Sequence, residues 1–228
     1  DALPILADIR IDGAGKKVTR SDNCRVSDLS VSSDNLTFTY EAKSLPYPID
    51  TSYYDNEKHT QADALSVIPF MDEMNYEGLS VSGLSDGYYG LTIGREFIGR
   101  FTARELERGI NMALLQNTPQ YKQAMKIRQM NEERWLKERK MREFYWVEYN
   151  LMRKTGMLWA CNEAAVDTLR KYRPHDIFLQ WNGDLWLQYM HKGIREDCVN
   201  EQQDLVNQIY EQNKPIPLRI EIKKFTDL

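Results

Sequence analysis

The feature that most constrains this fold is a long, unbroken run of helix-forming sequence in the second half of the chain. Thr118-Pro119 is typical of a helix start, because threonine caps helix N-termini and proline is tolerated at the first helical position. No glycine or proline follows until Gly156, which is typical of a helix end. The sequence therefore predicts one helix from Thr118 to Lys154, about 55 Å long.

The rest of the second half also predicts helices. Their predicted ranges are residues 102–116, 161–172 and 184–212. The first opens on the capping box Thr102-Ala-Arg-Glu105, in which both side chains can bond to the helix N-terminus. Gly193 weakens the last helix.

The first half of the chain predicts short strands separated by turns. The strands are predicted at residues 6–11, 29–33, 36–40, 79–82, 89–93 and 95–101. Leu36-Thr-Phe-Thr-Tyr40 alternates as a strand with one buried face does. The turns Ser33-Asp-Asn35 and Ser85-Asp-Gly87 predict hairpins. These signals together predict a small antiparallel β-sandwich.

The end of the chain predicts one more strand. Leu218-Arg-Ile-Glu-Ile222 alternates cleanly, and we assign the strand to residues 216–224. We expect it to return to the sheet of the first half, beside Ile9. The predicted fold class is therefore α+β, with a β-rich, sandwich-like domain over residues 1–101. A long-helix bundle follows over residues 102–228, and its last strand returns to the sheet.

Composition excludes several functional classes. The 228 residues carry a net charge of −4, which argues against nucleic acid as the main partner. No stretch approaches 18 apolar residues, so no membrane-spanning helix is predicted. The three cysteines are far apart and match no zinc spacing, so we expect free thiols and predict neither a metal site nor a cofactor: Cys24, Cys161 and Cys198.

The segment from Ser44 to Ala64 differs from its surroundings because it predicts neither a strand nor a helix. A loop of this length in a compact domain is often functional. His59, which lies in this segment, is the histidine that we take as a site candidate. His175 fits a polar turn and His191 fits the surface of a helix.

Two other motifs allow both a catalytic and a structural interpretation. Gly83-Leu-Ser85-Asp-Gly87 matches the G-x-S-x-G pattern of a nucleophile elbow, which needs a strand before the serine and a helix after it. Strands are predicted on both sides, so we favour a hairpin turn. Glu148 lies in an aromatic run, where a buried carboxyl with a raised pKa can serve acid–base chemistry. We favour the alternative, an ion pair with Arg142 or Arg153.

Seven stretches follow one another along the chain in a recognisable order. They are Asn23–Leu29, Ser44–Asp50, Tyr88–Leu106, Gly109–Leu115, Asn117–Tyr121, Asn131–Trp135 and Asn213–Pro215. Their order resembles the C-terminal region of bacterial SGNH/GDSL-type esterases and acylhydrolases, and the resemblance covers nearly the whole chain. Because that group is secreted or periplasmic, the resemblance implies the same location here.

In that family the catalytic residues lie upstream, in a Gly-Asp-Ser block, in blocks with Gly and Asn oxyanion donors, and in a terminal Asp-x-x-His pair. None of these maps onto this sequence, so the resemblance implies no catalytic residue here. We expect the chain to begin just after the Asp-x-x-His block.

The resemblance thus implies an accessory region that is inactive alone. We expect it to pack on an upstream catalytic domain of the same polypeptide and to form one wall of a cleft for an ester or carbohydrate substrate. The candidates for that wall are Tyr47, Tyr53, Tyr54 and His59.

Two hypotheses from other classes remain open. The chain can be a carbohydrate- or protein-binding module that uses exposed tyrosines and tryptophans as stacking platforms. It can also be a self-contained enzyme that uses Glu148 or His59 as an acid or base.

Overall fold

A computed structural model describes residues 5–52 and 58–225 of the chain. The chain divides into two compact units: a β unit, Asp1–Ile127 with Gln212–Leu228, and a helical unit, Arg128–Glu211. This division differs from the predicted boundary after residue 101. The reason is that Ala103, Leu106 and Met112 are buried in the core of the β unit.

The described part of the β unit contains nine strands. They are β1 (Ala7–Asp12), β2 (Lys17–Asp22), β3 (Cys24–Val31), β4 (Asn35–Ala42), β5 (Glu77–Ser82), β6 (Tyr88–Ile93), β7 (Glu96–Thr102), β8 (Ile110–Asn111) and β9 (Leu218–Lys224). One sheet has the order β2-β1-β5-β8 and the other β3-β4-β9-β6-β7. β1 and β5 are parallel, and the other pairs are antiparallel.

The two sheets share one apolar core, as expected of a sandwich. Alternate residues of each strand point into it, for example Leu36, Phe38 and Tyr40 of β4. Short helices also belong to the β unit: α1 (Phe70–Glu73), α2 (Ala103–Arg108) and the 3₁₀ turns Gln61–Ser66 and Met112–Leu114. With the helices described below, these sheets confirm the α+β class.

The last strand, β9, lies in the middle of the five-stranded sheet. Ile222 is paired with Leu36 of β4 on one side and with Leu91 of β6 on the other. The predicted return of this strand to a sheet is therefore confirmed. Its predicted place beside Ile9 is wrong, because Ile9 belongs to the other sheet.

Only one of the two predicted hairpins forms. β3 and β4 pair across the turn at Ser33-Asp-Asn35, as predicted. β5 and β6 belong to different sheets, so the turn at Ser85-Asp-Gly87 carries the chain from one sheet to the other. A strand follows Ser85 rather than a helix, which leaves the elbow motif without the geometry it needs.

The long helix predicted from Thr118 is present. It is α3 (Pro119–Val147), extended by a π-helical turn over Glu148–Met152. The remaining helices are α4 (Glu163–Tyr172), α5 (Ile177–Tyr189) and α6 (Lys192–Gln212). Their buried core includes Phe144, Val147 and Trp186. No helix in the described ranges is long and apolar enough to span a membrane.

Two helix predictions were wrong, one at its end and one because the helix is interrupted. α2 stops at Arg108 rather than near residue 116, because Gly109 takes a φ of 95° and Ile110 then pairs with Leu79. The helix predicted over 184–212 is instead α5 followed by α6. Arg195 promotes the break, since its Nη1 donates to the carbonyl oxygens of Tyr189 and Met190 at 2.6 and 2.8 Å.

The chain passes from the β unit to the helical unit within α3 and returns at Gln212. Near these two points, Gln123 Nε2 donates to the carbonyl oxygens of Gln212 and Lys214 at 2.8 and 2.9 Å. This amide therefore holds the outgoing and returning segments together within the β unit.

Candidate functional site

The long loop of the β unit is fixed by side-chain amides. Asn75 Oδ1 accepts from the backbone N–H of Tyr47 at 2.8 Å, and Asn75 Nδ2 donates to the carbonyl of Tyr47 at 2.9 Å. Gln61 donates to the Tyr47 hydroxyl at 2.7 Å and accepts from the backbone N–H of Asp50. Asn75 is 1% exposed, so these bonds are made away from water.

A second asparagine ties this loop to the sheet. Asn111 Nδ2 donates to the carbonyl oxygens of Met71 and Asn75, and Asn111 Oδ1 accepts from the backbone N–H of Glu77. Tyr121 donates to the carbonyl of Ile49 at 2.6 Å. The described parts of the loop thus pack around a small apolar core of their own.

The segments around this small core leave large apolar side chains exposed. Tyr47 packs edge-on against Phe70, with ring centroids 5.6 Å apart, yet it remains 46% exposed. We call the set the loop surface, and its members are Tyr47, Val67, Ile68, Met74 and Leu114. A patch of this kind is typical of an interaction site.

The structure locates two of the four predicted wall residues. Tyr47 lies on the loop surface. His59 is exposed and directly precedes Thr60, whose backbone N–H donates to Asp63 at 2.6 Å. Tyr53 and Tyr54 lie outside the described residues.

Glu148 holds two tryptophans rather than an arginine. Its Oε1 accepts from Trp186 Nε1 and its Oε2 accepts from the backbone N–H of Trp159, both at 2.8 Å. The favoured ion pair with Arg142 or Arg153 is therefore wrong within the described part of the chain. Both carboxylate oxygens are occupied and the residue is 1% exposed, which is the geometry of a positioning group.

The backbone of Trp159, whose N–H is bonded to Glu148, has an unusual conformation. This residue has a φ of 61°, which is unusual for a side chain of its size. Its ring meets the rings of Tyr145 and Tyr149 edge-on, with centroids 6.0 and 5.9 Å apart. All three rings are more than one-third exposed, so they form an aromatic patch on the helical unit.

Ser85 is engaged by two neighbours. Tyr89 gives its hydroxyl proton to the carbonyl of Ser85 at 2.9 Å, so Ser85 Oγ donates to the Tyr89 oxygen at 3.1 Å. Lys224 Nζ donates to Ser85 Oγ at 2.8 Å. Within the described residues, the partners of Ser85 Oγ are thus a phenol and a lysine ammonium, and the histidine base of the esterase triad is not among them.

A buried carboxyl that the sequence analysis missed lies at the start of β5. Glu77 is 1% exposed, and its oxygens accept from the Tyr40 hydroxyl at 2.8 Å and from Gln120 Nε2 at 3.2 and 3.3 Å. Burial raises the pKa of Glu77 to about 7, although both hydrogen bonds oppose the rise. The signal in the sequence is an acidic residue that directly precedes the apolar strand Gly-Leu-Ser-Val.

A thiol–imidazole pair was also missed. Cys161 Sγ and His191 Nδ1 are 3.3 Å apart, and both residues are exposed. Cys24 is half-buried, Cys198 is buried, and all three thiols are free. In the described ranges, no group of three or more His, Cys, Asp or Glu side chains is placed to hold a metal ion.

Comparison with known proteins relates the chain to a hydrolase. Residues 125–214 match the family described as the diltiazem deacetylase C-terminal helical domain. This range nearly coincides with the helical unit. The helical unit is therefore a hydrolase-related domain.

A solved structure extends the similarity to the β unit. It is described as BT4096, a gut microbial diltiazem-metabolizing enzyme, and it matches 98% of this chain with 34% sequence identity and a TM-score of 0.90. The chain spans 51% of the length of that structure, which is about half. Among curated proteins, none matches the chain.

Proposed function

We propose that this chain is the accessory C-terminal region of an ester hydrolase of the SGNH/GDSL type. The observation that carries the proposal is the match of both units to half of a diltiazem-metabolizing enzyme. The seven stretches that resemble the C-terminal region of SGNH/GDSL esterases support the type. The remaining half of such an enzyme would supply the nucleophile, the base and the oxyanion donors.

We propose that the loop surface is the part of the β unit that packs against the catalytic domain. Its apolar side chains are exposed, while the amides of Asn75 and Asn111 hold the backbone beneath them in place. A surface that is apolar and preorganised can dock without a large entropic cost. Tyr47, Tyr53, Tyr54 and His59 then form one wall of the substrate cleft.

Alanine substitutions at these four positions test the wall in the longer polypeptide that includes the catalytic domain. We expect kcat/KM for an acetyl ester to fall about tenfold or more, because a displaced substrate loses near-attack geometry. Tyr88→Ala is the matched control, since Tyr88 is an equally exposed tyrosine on β6. Unchanged kcat/KM in all four variants contradicts the assignment.

Inactivity of the chain by itself is part of the proposal. The hydrogen-bonding pattern of Ser85 supports it. The test is hydrolysis of p-nitrophenyl acetate by the purified 228-residue chain, together with labelling by a fluorophosphonate. We expect neither turnover nor label, whereas turnover with a labelled Ser85 contradicts the proposal and favours a self-contained enzyme.

The same resemblance leads us to propose a periplasmic or secreted location. Fractionation of cells that express the longer polypeptide tests it, with a cytoplasmic enzyme as the marker. Recovery of the protein with that marker contradicts the location without affecting the proposed role.

A further inference from the structure

The helical unit contains a cleft of about 360 Å³ between the end of the long helix and the corner that joins α4 to α5. Its lining residues are Trp146, Asn150, Leu151, Lys154, Thr155, Tyr172, His175, Asp176 and Leu179. The floor is apolar, since Leu151 and Leu179 are buried and Trp146 is half-buried. A volume of this size accommodates a small ligand.

One wall of the cleft is braced by Arg173. Its guanidinium donates to both carboxylate oxygens of Asp184 at 2.6 and 2.7 Å and to the carbonyl of Gln180 at 3.1 Å. Gly183 leaves room for it, because a Cβ there would lie 3.1 Å from Arg173 Nε. The corner that carries His175 is thereby held against α5 in one geometry.

The opposite wall is braced by Glu148. Asn150 and Leu151 belong to the π-helical turn that begins at Glu148, and the buried carboxylate fixes this turn to Trp186. Thr155 closes the turn by donating to the carbonyl of Leu151 at 3.0 Å. π-Helical turns are found frequently at functional sites. Both walls are thus held in place by contacts within the protein.

The rim supplies polar groups in both hydrogen-bonding roles. Within the described residues, neither the Lys154 ammonium nor the His175 ring has a hydrogen-bond or ion-pair partner. The side-chain nitrogen of Asn150 donates to the carbonyl oxygen of Trp146, which leaves its Oδ1 as an acceptor. Asp176 uses Oδ1 to cap α5, which leaves Oδ2 as a second acceptor.

We infer that this cleft binds a neutral sugar ring of a polysaccharide. A pyranose has one apolar face, which suits the floor of Trp146 and the ring of Tyr172, and hydroxyls that both donate and accept, which suit the rim. An aromatic strip continues from the cleft, since Phe178 lies 5.2 Å from Trp146 and 5.5 Å from Trp181. Trp181 is 67% exposed, which leaves a platform for a neighbouring sugar of the chain.

Other ligand classes fit less well. An anion would meet Lys154 but also the carboxylate of Asp176. A purely apolar ligand would remove Lys154 and His175 from water without giving them partners, which is costly. The inference does not depend on the proposed ester-hydrolase function.

The test uses the purified 228-residue chain in native gels that contain β-glucan, xylan, galactomannan or starch. We expect at least one of these neutral polysaccharides to retard the protein. Tyr172→Ala is expected to raise the apparent Kd about tenfold, because it removes one aromatic contact from the rim. Trp135→Ala is the control, since Trp135 is an exposed aromatic residue of the helical unit that does not line the cleft.

Two results would overturn the inference: no retardation by any of the four neutral polysaccharides, even where an added gel with acidic alginate retards the protein, or retardation that Tyr172→Ala leaves unchanged. Because Tyr172 is exposed, its replacement is not expected to unfold the helical unit, and the far-UV circular dichroism of the variant checks this. His175→Ala, at a second exposed rim position, provides an independent variant.

Discussion

Replacement of Glu77 by glutamine is expected to change how the stability of the β unit depends on pH. Burial raises the pKa of this carboxyl from 4.5 to about 7, so the folded protein holds its proton more tightly than the unfolded chain does. The resulting stabilisation is fully present below pH 4.5 and is lost as the pH rises to about 7. The difference between the two pKa values corresponds to about 3 kcal/mol.

Glutamine at this position retains the shape of the site but does not titrate. Its oxygen can still accept from the Tyr40 hydroxyl. Gln120 Oε1, which has no partner in the described structure, can turn toward the new amide nitrogen. We therefore expect the wild-type β unit to lose up to about 3 kcal/mol between pH 4.5 and pH 7.5, and Glu77→Gln to lose this component of the pH dependence.

The location of the tryptophans allows the unfolding of the two units to be followed separately. All five tryptophans lie in the helical unit, so their fluorescence reports on that unit alone. Hydrogen exchange of β4 and β5 in increasing urea reports on the β unit at pH 5 and pH 7.5. Glu41→Gln is the control, because Glu41 forms an exposed ion pair with Arg25. Equal pH dependence in wild type and Glu77→Gln would refute the reasoning.

Four further results are expected. Iodoacetamide at pH 7 should alkylate Cys161 several-fold faster than Cys24, because burial raises the pKa of the Cys24 thiol to about 11. His191→Phe should slow the reaction of Cys161, and an unchanged rate would mean that the imidazole does not assist the thiol. Glu148→Gln should destabilise the helical unit by about 2 kcal/mol in fluorescence-detected urea unfolding, because its amide nitrogen would face an N–H group. Asn75→Ala should destabilise the loop by about 2 kcal/mol and speed its proteolysis, whereas wild-type cleavage rates would count against the amide clamp.

Local signals in the sequence were sufficient where the structure depends on neighbouring residues. The capping box at Thr102 forms as predicted: its backbone N–H donates to Glu105 Oε2 at 2.7 Å, and its Oγ1 accepts from the backbone N–H of Glu105 at 3.1 Å. The end of the same helix depends on a distant strand, because Ile110 leaves the helix to pair with Leu79. Alternation identifies β9 as a strand but contains no information on which strands flank it.

The candidate sites show the same limit. Tyr47 was identified from its place in a long loop, but the amide that fixes it belongs to Asn75, 28 residues away. Cys161 and His191 are separated by 30 residues and meet only because the chain reverses between α4 and α6. An aromatic run around Glu148 indicates burial, but whether an arginine or a tryptophan reaches the carboxylate depends on tertiary packing.

The central place of β9 imposes an order on folding during synthesis. A ribosome releases residues 1–127 first, yet their five-stranded sheet lacks its middle strand until residues 218–224 emerge. The helical unit is thus an insertion in the β unit, and it can complete its own core while the sandwich is still open. Since Gln123 joins the two crossing points, a short glycine linker between residues 127 and 212 would excise the insertion and leave a sandwich with every strand.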